Sequence, residues 1–470
     1  MTVAEATPEL DEVVDTVERH DRAFLGQPTG LAFLAFVEGC ERFSYYSMQT
    51  LLTLYMVNYL LLPEHFGSVW GLGWVQQHLA GGKTGQPLAS DIYGNYTALV
   101  YLTPIAGGWL ADRFLGRRGA LIAGGLVMSL GHFLMAIQPA FLLALVCLIV
   151  GVGLFKGNIA SQVGELYKPN DLRRAMAFQI FYIAIQLSAI AAPLISGTLG
   201  EKAGWHYGFG AAGVVMVIGL MIYLKAGPYL PPDKLQPAVK GEKIKRMEPG
   251  DGLRLFALVL LIPAIAVSLL PNQEMSNAYM VWADQHFELT FAGFRMPTTW
   301  LISFDSIVSF ITLVGITWFW KWRSDRGKWE PDEIGKMIIG SVFTVAGALC
   351  LYIAAQTQGS GKIGLFWPAM FHILNDLGFG HILPVSLALV TKLSPRKLTA
   401  TSVGLYYLSF FLANKIVGEV GGWYSTMAIG PFWLVHVGAA AVGLVFFVLF
   451  RLFGGALFTD KARAEDAVPA

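Results

Sequence analysis

The sequence predicts an all-α polytopic membrane protein of twelve transmembrane helices, arranged as two six-helix bundles with both termini in the cytoplasm. Its 470 residues are 55% hydrophobic and only 14% charged, which is typical of a membrane protein and not of a soluble enzyme of this length. Apolar runs of roughly 20 residues, long enough to cross a bilayer, recur along the chain. The basic residues are unevenly divided between the connecting loops. These three features predict the fold class and its orientation.

Twelve apolar runs are predicted to span the membrane. They lie near residues 30–62, 90–111, 119–138, 141–166, 173–199, 205–225, 253–284, 298–321, 334–357, 363–391, 399–425 and 430–453. Several are longer than a bilayer requires, which predicts tilted or kinked helices, for example at Pro263 and Pro271. All three cysteines lie in apolar segments, which argues against a disulfide framework.

The positive-inside rule favours cytoplasmic termini. With that orientation, the predicted outer loops contain only Lys83, Lys202, Arg295 and Lys362, and the span interiors, away from their cytoplasmic ends, contain Arg42, Lys156 and Lys415. All other basic residues fall on the inner side. The expected segments are an N-terminal segment 1–28, a bundle 29–225, a linker 226–251, a bundle 252–455 and a tail 456–470. The first of these lacks the apolar core of a signal peptide.

The first span contains three charged residues. On a helix they share one stripe with neighbouring polar and aromatic side chains. The residues of this stripe are Glu38, Glu41, Arg42, Tyr45, Tyr46 and Gln49. A charge at the membrane centre costs roughly 2.5–3.5 kcal/mol on insertion scales, so the stripe is predicted to face a watery cavity.

Further polar residues are predicted to lie at the same depth in the membrane as this stripe. At 1.5 Å per residue, Glu41, Arg42, Tyr101 and Lys156 all lie about 15 Å from the cytoplasmic ends of their spans. We predict that Lys156 joins Glu38, Glu41 and Arg42 in a buried network. Such a network can exchange a proton or a carboxylate-bearing ligand for an internal ion pair, which would couple transport to protons. The alternative is an ion-pair lock with a purely structural role.

A glycine-rich motif connects the second and third spans. The run Gly108-Trp-Leu-Ala-Asp112-Arg113-Phe-Leu-Gly116-Arg117-Arg118 resembles the cytoplasmic-loop signature of the major facilitator superfamily. The resemblance implies the major facilitator fold, in which two bundles rock around a site at the membrane midplane. Asp112 and Arg113 are then expected to form a conformational latch, with Asp112 facing a basic group or a helix end of span 11. The alternative is a basic turn that serves only orientation.

A second resemblance is more specific. Glu38-x-x-Glu41-Arg42-Phe43-x-Tyr45-Tyr46 resembles the first-helix motif of the proton-dependent oligopeptide transporters. Their fourth-helix signature is similar to the stretch from Phe155-Lys156-Gly157-Asn158-Ile159 to Gly164-Glu165-Leu166-Tyr167, and Phe181-Tyr182-Ile-Ala-Ile185 opens their fifth-helix signature. The resemblance covers residues 30–225 and becomes diffuse after residue 250.

This resemblance implies a secondary active transporter that carries di- and tripeptides with protons by alternating access. It implies that the lysine contacts the peptide carboxylate and that the glutamates handle protons. The proton-coupling residues are then Glu38, Glu41, Arg42 and Lys156. The substrate-binding residues are then Arg42, Tyr45, Tyr46, Gln49, Tyr101, Lys156, Gln186, Glu274, Asp305, Asp376 and Tyr406.

The C-terminal half departs from the family pattern, so the chain is an atypical member there. Asp305 stands where the family has Asn, and Asp376 is the acid nearest to an expected Glu on the tenth span. Either Gln273 or Glu274 takes the acidic place on the seventh span. These changes fall where the family binds a peptide's amino terminus. We therefore expect the part of the site that binds a peptide carboxylate to match the family pattern, and the part that binds the amino terminus to differ from it.

Lys415 has no counterpart in the family pattern. It lies about 22–24 Å from the cytoplasmic side, as do Asp305 and Asp376, at the helical rise of 1.5 Å per residue. We predict that Lys415 pairs with one of these two aspartates. The alternative is a local pair with Glu419, four residues further along the same helix.

Other functions remain as alternatives within the same fold. The altered amine end favours another small zwitterionic or peptide-like solute, and a drug:proton antiporter is the third possibility. No His-Glu-x-x-His or similar cluster indicates an enzyme, and no nucleotide motif indicates an NTP-driven pump. The expected partners are the substrate, protons and the lipid bilayer, without nucleic acid, cofactor or metal. We expect a monomer in the bacterial inner (cytoplasmic) membrane.

Overall fold

The computed structural model describes residues 23–168, 171, 173–231, 251–359, 361–394 and 399–454. Within them, the helices are α1 (Thr29–Tyr55), α2 (Pro63–Phe66), α3 (Leu72–His78), α4 (Gly85–Leu110), α5 (Gly116–Leu134), α6 (Phe141–Glu165), α7 (Arg173–Ala192), α8 (Thr198–Lys202), α9 (Trp205–Lys225), α10 (Asp251–Ser268), α11 (Leu270–Gln273), α12 (Ala278–His286), α13 (Trp300–Ser324), α14 (Glu333–Thr357), α15 (Phe366–Leu393), α16 (Thr399–Gly422) and α17 (Ile429–Gly454). A short antiparallel hairpin, β1 (Thr290–Phe291) and β2 (Phe294–Arg295), precedes α13.

Each predicted apolar run coincides with a long helical segment of the described chain. Three of these segments contain a π-helical turn, at Met56–Leu60, Ala111–Leu115 and Pro193–Gly197. By length and hydropathy alone, seven helices of the described residues could cross a membrane, or eight if the bent α10–α11 pair counts as one span. α1 is not among the seven, because Glu38, Glu41 and Arg42 interrupt its apolar surface.

The predicted seventh span is broken where the sequence places a proline. α10 ends at Ser268, and the chain bends by 50° into Leu270–Ser276. Pro271 lies in the first turn of α11, where a missing N–H is tolerated and a new helix can begin. Pro263 lies inside α10. The break places the acidic residue of this span, Glu274, just beyond the bend.

Two compact units make up the described chain. The first consists of residues 23–51, 68–70 and 103–231, and the second of residues 52–67, 71–102 and 251–454. Parts of the first two spans therefore group with the C-terminal helices. The division into bundles 29–225 and 252–455 stays a prediction. Three predicted regions lie wholly or partly outside the described residues. They are residues 1–22 of the N-terminal segment, most of the linker and the whole tail.

In the first unit, glycines allow α5 and α6 to pack closely. A Cβ atom on Gly124 would lie 2.8 Å from the carbonyl oxygen of Gly151. Close approach through small residues is a common way for membrane helices to associate. Gly116 has a φ of +68°, which glycine adopts without strain and which lets the chain turn from α4 into α5. α6 is thereby fixed in place, and it carries Lys156.

In the second unit, α14 packs on α15 and α17, and α10 lies against α16 and α17. Leu261, Ile265 and Phe447 belong to the buried core of these helices. The part of α4 that belongs to this unit packs closely on α16. A Cβ atom on Gly94 would lie only 2.4 Å from the Cα atom of Gly418.

Candidate functional site

The charged side chains of α1 are buried in contact with one another in the first unit. Glu38, Glu41 and Arg42 are 4%, 0% and 5% exposed. Arg42 Nε lies 3.2 Å from Glu38 Oε1, one helical turn away. Arg42 Nη2 donates to Glu41 Oε1 at 2.7 Å, and Arg42 Nε donates to Glu41 Oε2. A buried guanidinium thus bridges two buried carboxyl groups.

Lys156 extends this group of charges from α6. Its Nζ lies 5.8 Å from the centre of the Tyr45 ring, and the Arg42 guanidinium carbon lies 5.1 Å from the same ring. Lys156 also interacts electrostatically with Arg42, Glu41 and Glu38. The four charged residues Glu38, Glu41, Arg42 and Lys156 are therefore one cluster, which we call the α1–α6 charge cluster.

The α1–α6 charge cluster carries two acids and two bases around an aromatic ring. The carboxylates of Glu38 and Glu41 contact Nε and Nη2 of Arg42, whose guanidinium presents five donors in all, and the Lys156 ammonium presents three more. A further carboxylate could therefore share these cations. Glu38 Oε2 is buried and accepts no hydrogen bond from the described residues, which leaves it available to a proton. The arrangement suits exchange of a proton or of an anionic ligand group.

Other predicted residues of the first unit lie around this cluster or at the unit's surface. Tyr46 packs edge-on against Tyr45, with ring centres 5.4 Å apart. Gln49 on α1 and Gln186 on α7 are half-buried.

The predicted latch residues, Asp112 and Arg113, are both exposed. Asp112 Oδ1 lies 4.0 Å from Arg117 Nε within the same motif, and the Arg113 guanidinium lies over the Trp109 ring. The latch stays a prediction.

Two predicted aromatic residues meet in the second unit. Tyr101 stacks on Phe410 with ring centres 4.8 Å apart, and the Phe410 ring lies 6.0 Å from that of Tyr406. The Tyr406 hydroxyl donates to the carbonyl oxygen of Leu383 at 3.2 Å. Tyr406 and Phe410 belong to the buried core of this unit, and Tyr101 packs against that core.

Glu274 is fully buried and held by local donors. Asn277 Nδ2 and the Ala278 amide donate to Glu274 Oε1 at 2.9 and 3.1 Å, and His436 Nε2 lies 3.5 Å from Oε2. The neighbouring Gln273 accepts a hydrogen bond from Asn414 at 3.2 Å. Glu274 is thus the buried acid of the broken span.

Asp305 lies beside His372, which is on the same helix as Asp376 and also contacts Tyr279. Neither His372 nor Tyr279 was among the predicted site residues. His372 Nδ1 lies 2.7 Å from Asp305 Oδ1, and His372 Nε2 lies 2.9 Å from the Tyr279 hydroxyl. The Asp376 carboxyl is buried, and its Oδ2 has no hydrogen-bond partner among the described residues. His372 precedes Asp376 by four residues on α15, a spacing that places both on one helical face and could have indicated the pair.

Lys415 pairs with neither aspartate, contrary to our expectation. Its Nζ donates to the amide oxygen of Asn95 on α4 at 2.5 Å, and its side chain is exposed. The local alternative is not formed either, because Glu419 accepts from Lys83 at 2.7 Å. The physical reason is that α4 lies against α16 here and offers Lys415 a nearer polar partner. An exposed ammonium does not need a buried acid.

Lys83 lies in the loop before α4, outside the spans, and binds two acids. Its Nζ is 3.3 Å from Asp91 and 2.7 Å from Glu419. Partial burial by itself lowers the pKa of Lys83, but the hydrogen bond to Glu419 and the charges of Glu419 and Asp91 outweigh it, so the pKa is raised. Partial exposure of the pair limits its contribution to stability.

We expect replacement of Lys415 by alanine to have only a small effect. The variant loses one exposed hydrogen bond to an uncharged amide, worth about 0.5–1.5 kcal/mol. The pH dependence of transport should not change, because neither aspartate loses a partner. Uptake by reconstituted protein at several pH values measures this. A shifted pH profile would show that Lys415 does act on a titrating group.

No group of three or more His, Cys, Asp or Glu suited to a metal ion occurs among the described residues.

The chain matches the Major Facilitator Superfamily over residues 31–418. A peptide transporter of Yersinia enterocolitica subsp. palearctica is 28% identical, over 85% of this chain and 89% of that protein. A di-/tripeptide transporter of Lactococcus lactis subsp. cremoris is 26% identical, over 87% and 92%.

Solved structures give the same result. A crystal structure of the peptide transporter POT in complex with sulfate is 26% identical, has a TM-score of 0.83, and covers 96% of this chain and 99% of its own. A variant of a peptide transporter POT in complex with alafosfalin is also 26% identical, has a TM-score of 0.81 and covers the same shares of the two chains. The resemblance to the proton-dependent oligopeptide transporters, expected from the motifs of the N-terminal half, is confirmed. The chain belongs to the Major Facilitator Superfamily.

Proposed function

We propose that the protein is a secondary active transporter that carries di- and tripeptides together with protons by alternating access. The α1–α6 charge cluster is the observation that carries this proposal. The relatives from Yersinia and Lactococcus, which are a peptide transporter and a di-/tripeptide transporter, support the substrate class. We further propose a multi-pass protein of the inner membrane, active as a monomer, with both termini in the cytoplasm.

Charge balance in the cluster gives a physical reason for coupling. With all four residues ionised, the two acids and two bases sum to zero. A peptide carboxylate bound to Lys156 and Arg42 adds one negative charge at a buried place, where uncompensated charge is costly. A proton on Glu38 or Glu41 removes that excess. Peptide and proton therefore bind more favourably together than either does alone, which is the thermodynamic basis of symport.

Other substrate-contacting residues are proposed by residue type, separately for each unit. Tyr45, Tyr46 and Gln186 would line the substrate path in the first unit, with Gln49 nearer the predicted outer end of α1. Tyr101 and Tyr406 would supply aromatic walls in the second unit, and Glu274 the buried acid. Because the predicted amine end differs from the family pattern, another small zwitterionic solute is the alternative substrate.

Uptake into liposomes tests this function. Purified protein should accumulate dialanine faster under an inward proton gradient. Lys156→Ala should abolish gradient-driven uptake, because it removes a cation that balances the peptide carboxylate. Glu38→Gln should also abolish it, because the variant cannot bind the coupled proton at that position. Lys225→Ala, at the exposed end of α9, is the matched control and should transport normally.

Two outcomes would contradict the proposal. If the folded wild-type protein takes up another zwitterion but no dipeptide, that zwitterion and not a peptide is the substrate. Drug export that persists in the Lys156→Ala variant would show that the protein is a drug exporter and not a peptide importer. An exporter of cationic drugs needs no carboxylate-binding lysine. Either result leaves the superfamily assignment intact.

A further inference from the structure

Within the second unit, charged and polar side chains connect α4 to α16 at the predicted outer side. Lys83 Nζ lies 3.3 Å from Asp91 and 2.7 Å from Glu419. Asn95 donates to Asp91 Oδ2 at 3.0 Å and accepts a hydrogen bond from Lys415 at 2.5 Å. These five residues form one continuous network between the two helices. It contains two cations and two anions, so its charges balance.

Buried hydrogen bonds extend this contact to the broken seventh span. Ser90 Oγ on α4 donates to Asn277 Oδ1 at 3.0 Å, and Asn277 Nδ2 donates to the Val417 carbonyl oxygen on α16 at 3.2 Å. Gln86 Nε2 donates to the Gly421 carbonyl oxygen at 2.8 Å. Ser90 and Asn277 are both 0% exposed. Asn277 therefore joins three spans at one place.

The outer end of the first span makes similar contacts. Thr53 Oγ1 donates to the Ser276 carbonyl oxygen at 3.0 Å, and Asn58 Nδ2 donates to Asp284 Oδ2 at 3.1 Å. All three sets of contacts connect residues 52–102 to residues after 250, inside the second unit. We call them together the outer seam. The outer seam joins the two halves of the chain that the sequence predicts to be separate bundles.

The outer seam is built so that it can separate. Where α4 and α16 approach most closely, a Cβ atom on Gly94 would lie 2.4 Å from Gly418 Cα. Backbone meets backbone there, so the helices can part without unlocking side chains from one another. Lys83, Lys415 and Glu419 are half-buried or exposed. Water can therefore replace the partners that these groups lose, which keeps the net cost of separation small.

We propose that the outer seam is the gate at the outer end of the substrate path, and that Lys83 stabilises its closed state by binding Glu419 and Asp91 at once. In major facilitator proteins the two halves of the chain rock against each other. A seam that joins these halves at the outer side must break when that side opens. The inference rests on the proposed function, because alternating access supplies the need for such a gate.

Thr97 offers a place to detect opening. It is 0% exposed and lies three residues after Gly94, on the face of α4 that contacts α16. Its hydroxyl donates to the Tyr93 carbonyl oxygen in its own helix at 2.8 Å. Thr97→Cys therefore keeps the hydrogen bonds of the outer seam and introduces a thiol that is sealed while the seam is closed.

Thiol labelling from the outside tests the gate without any substrate. Right-side-out vesicles would contain the Thr97→Cys protein and receive a membrane-impermeant methanethiosulfonate, with mass spectrometry reporting the labelling rate. The native cysteines are replaced by alanine at Cys40, Cys147 and Cys350. Adding Lys83→Gln should raise the rate about 1.5- to 5-fold, the factor by which an exposed ion pair typically shifts an equilibrium. Adding Glu419→Gln as well should change it little further, because both residues belong to one contact.

Lys362→Gln is the matched control. Lys362 also lies in a predicted outer loop, but its Nζ donates to the Gln285 carbonyl oxygen, so both partners belong to the C-terminal half. The labelling rate should stay unchanged in this variant. An equal rise in Lys362→Gln and Lys83→Gln would overturn the gate, because loss of any outer charge would then suffice.

The outcomes separate this inference from the proposed function. An unchanged labelling rate in Lys83→Gln would overturn the gate, even if the same vesicles take up dialanine. Faster labelling in that variant supports the gate, even if dialanine is not a substrate. If the Thr97→Cys protein is not monodisperse, Ser90→Cys replaces it as the reporter, and the same comparison decides.

Discussion

Replacement of Arg42 by methionine is expected to lower the free energy of unfolding by about 3–5 kcal/mol, the usual cost of removing one partner from a buried ion pair. Glu38 and Glu41 are 4% and 0% exposed, and only one cation of the cluster, Lys156, would remain for the two carboxylates. Methionine fills similar volume, so the loss would report charge and not a cavity. Denaturant titration of the purified protein in detergent measures the change.

Two further variants show whether charge is the cause. Arg326→Met, at an exposed turn after α13, should change stability by less than about 0.5 kcal/mol, as surface substitutions usually do. Adding Glu38→Gln to Arg42→Met should recover much of the lost stability, because Glu41 and Lys156 then balance each other. If this double variant were no more stable than the single one, packing and not charge would explain the loss.

Replacement of Gly94 by valine is the second change with a large expected effect. Even the Cβ atom would lie 2.4 Å from Gly418 Cα and 2.6 Å from the Asn414 carbonyl oxygen, and backbone atoms cannot move aside as a flexible side chain can. Overpacking commonly costs about 1–3 kcal/mol and occasionally more. Because α4 and α16 would have to separate, we expect a loss at or above the upper end of that range.

The thermal midpoint of the detergent-purified protein measures this prediction. Gly108→Val is the matched control, because it makes the same exchange on the same helix where no atom lies within 4 Å of the added Cβ. Helix propensity favours valine slightly over glycine, so we expect no loss of stability in this variant. Equal losses for the two variants would mean that the Gly94 contact contributes nothing specific.

The sequence predicts those parts of the site that depend on one helix. The spacing of Glu38, Glu41 and Arg42 predicts their shared stripe, and helical depth predicts that Lys156 lies at their level. Pairs between helices are different. The contact of His372 with Asp305 joins residues 67 apart in sequence, and the contact of Lys415 with Asn95 joins residues 320 apart. Depth alone cannot say which faces of two helices meet.

The fold shows the same limit. Hydropathy places the long helices within a few residues, because it reflects which segments avoid water. It does not predict that residues 71–102 group with the C-terminal helices, since that depends on glycine contacts such as Gly94 with Gly418. Pro271 predicts a kink in the seventh span but not its angle of 50°.

The ion pair of Lys83 with Glu419 gives the protein an internal chemical reporter. It holds a primary amine 2.7 Å from a carboxylate, across 336 residues of sequence. A carbodiimide condenses such neighbours into an amide without adding a spacer. If a protease site is inserted between residues 232 and 250, cleaved protein separates into two bands on a denaturing gel unless this amide has formed. The fraction that remains as one band would then measure how often this contact is closed, and substrate or pH could be varied to follow it.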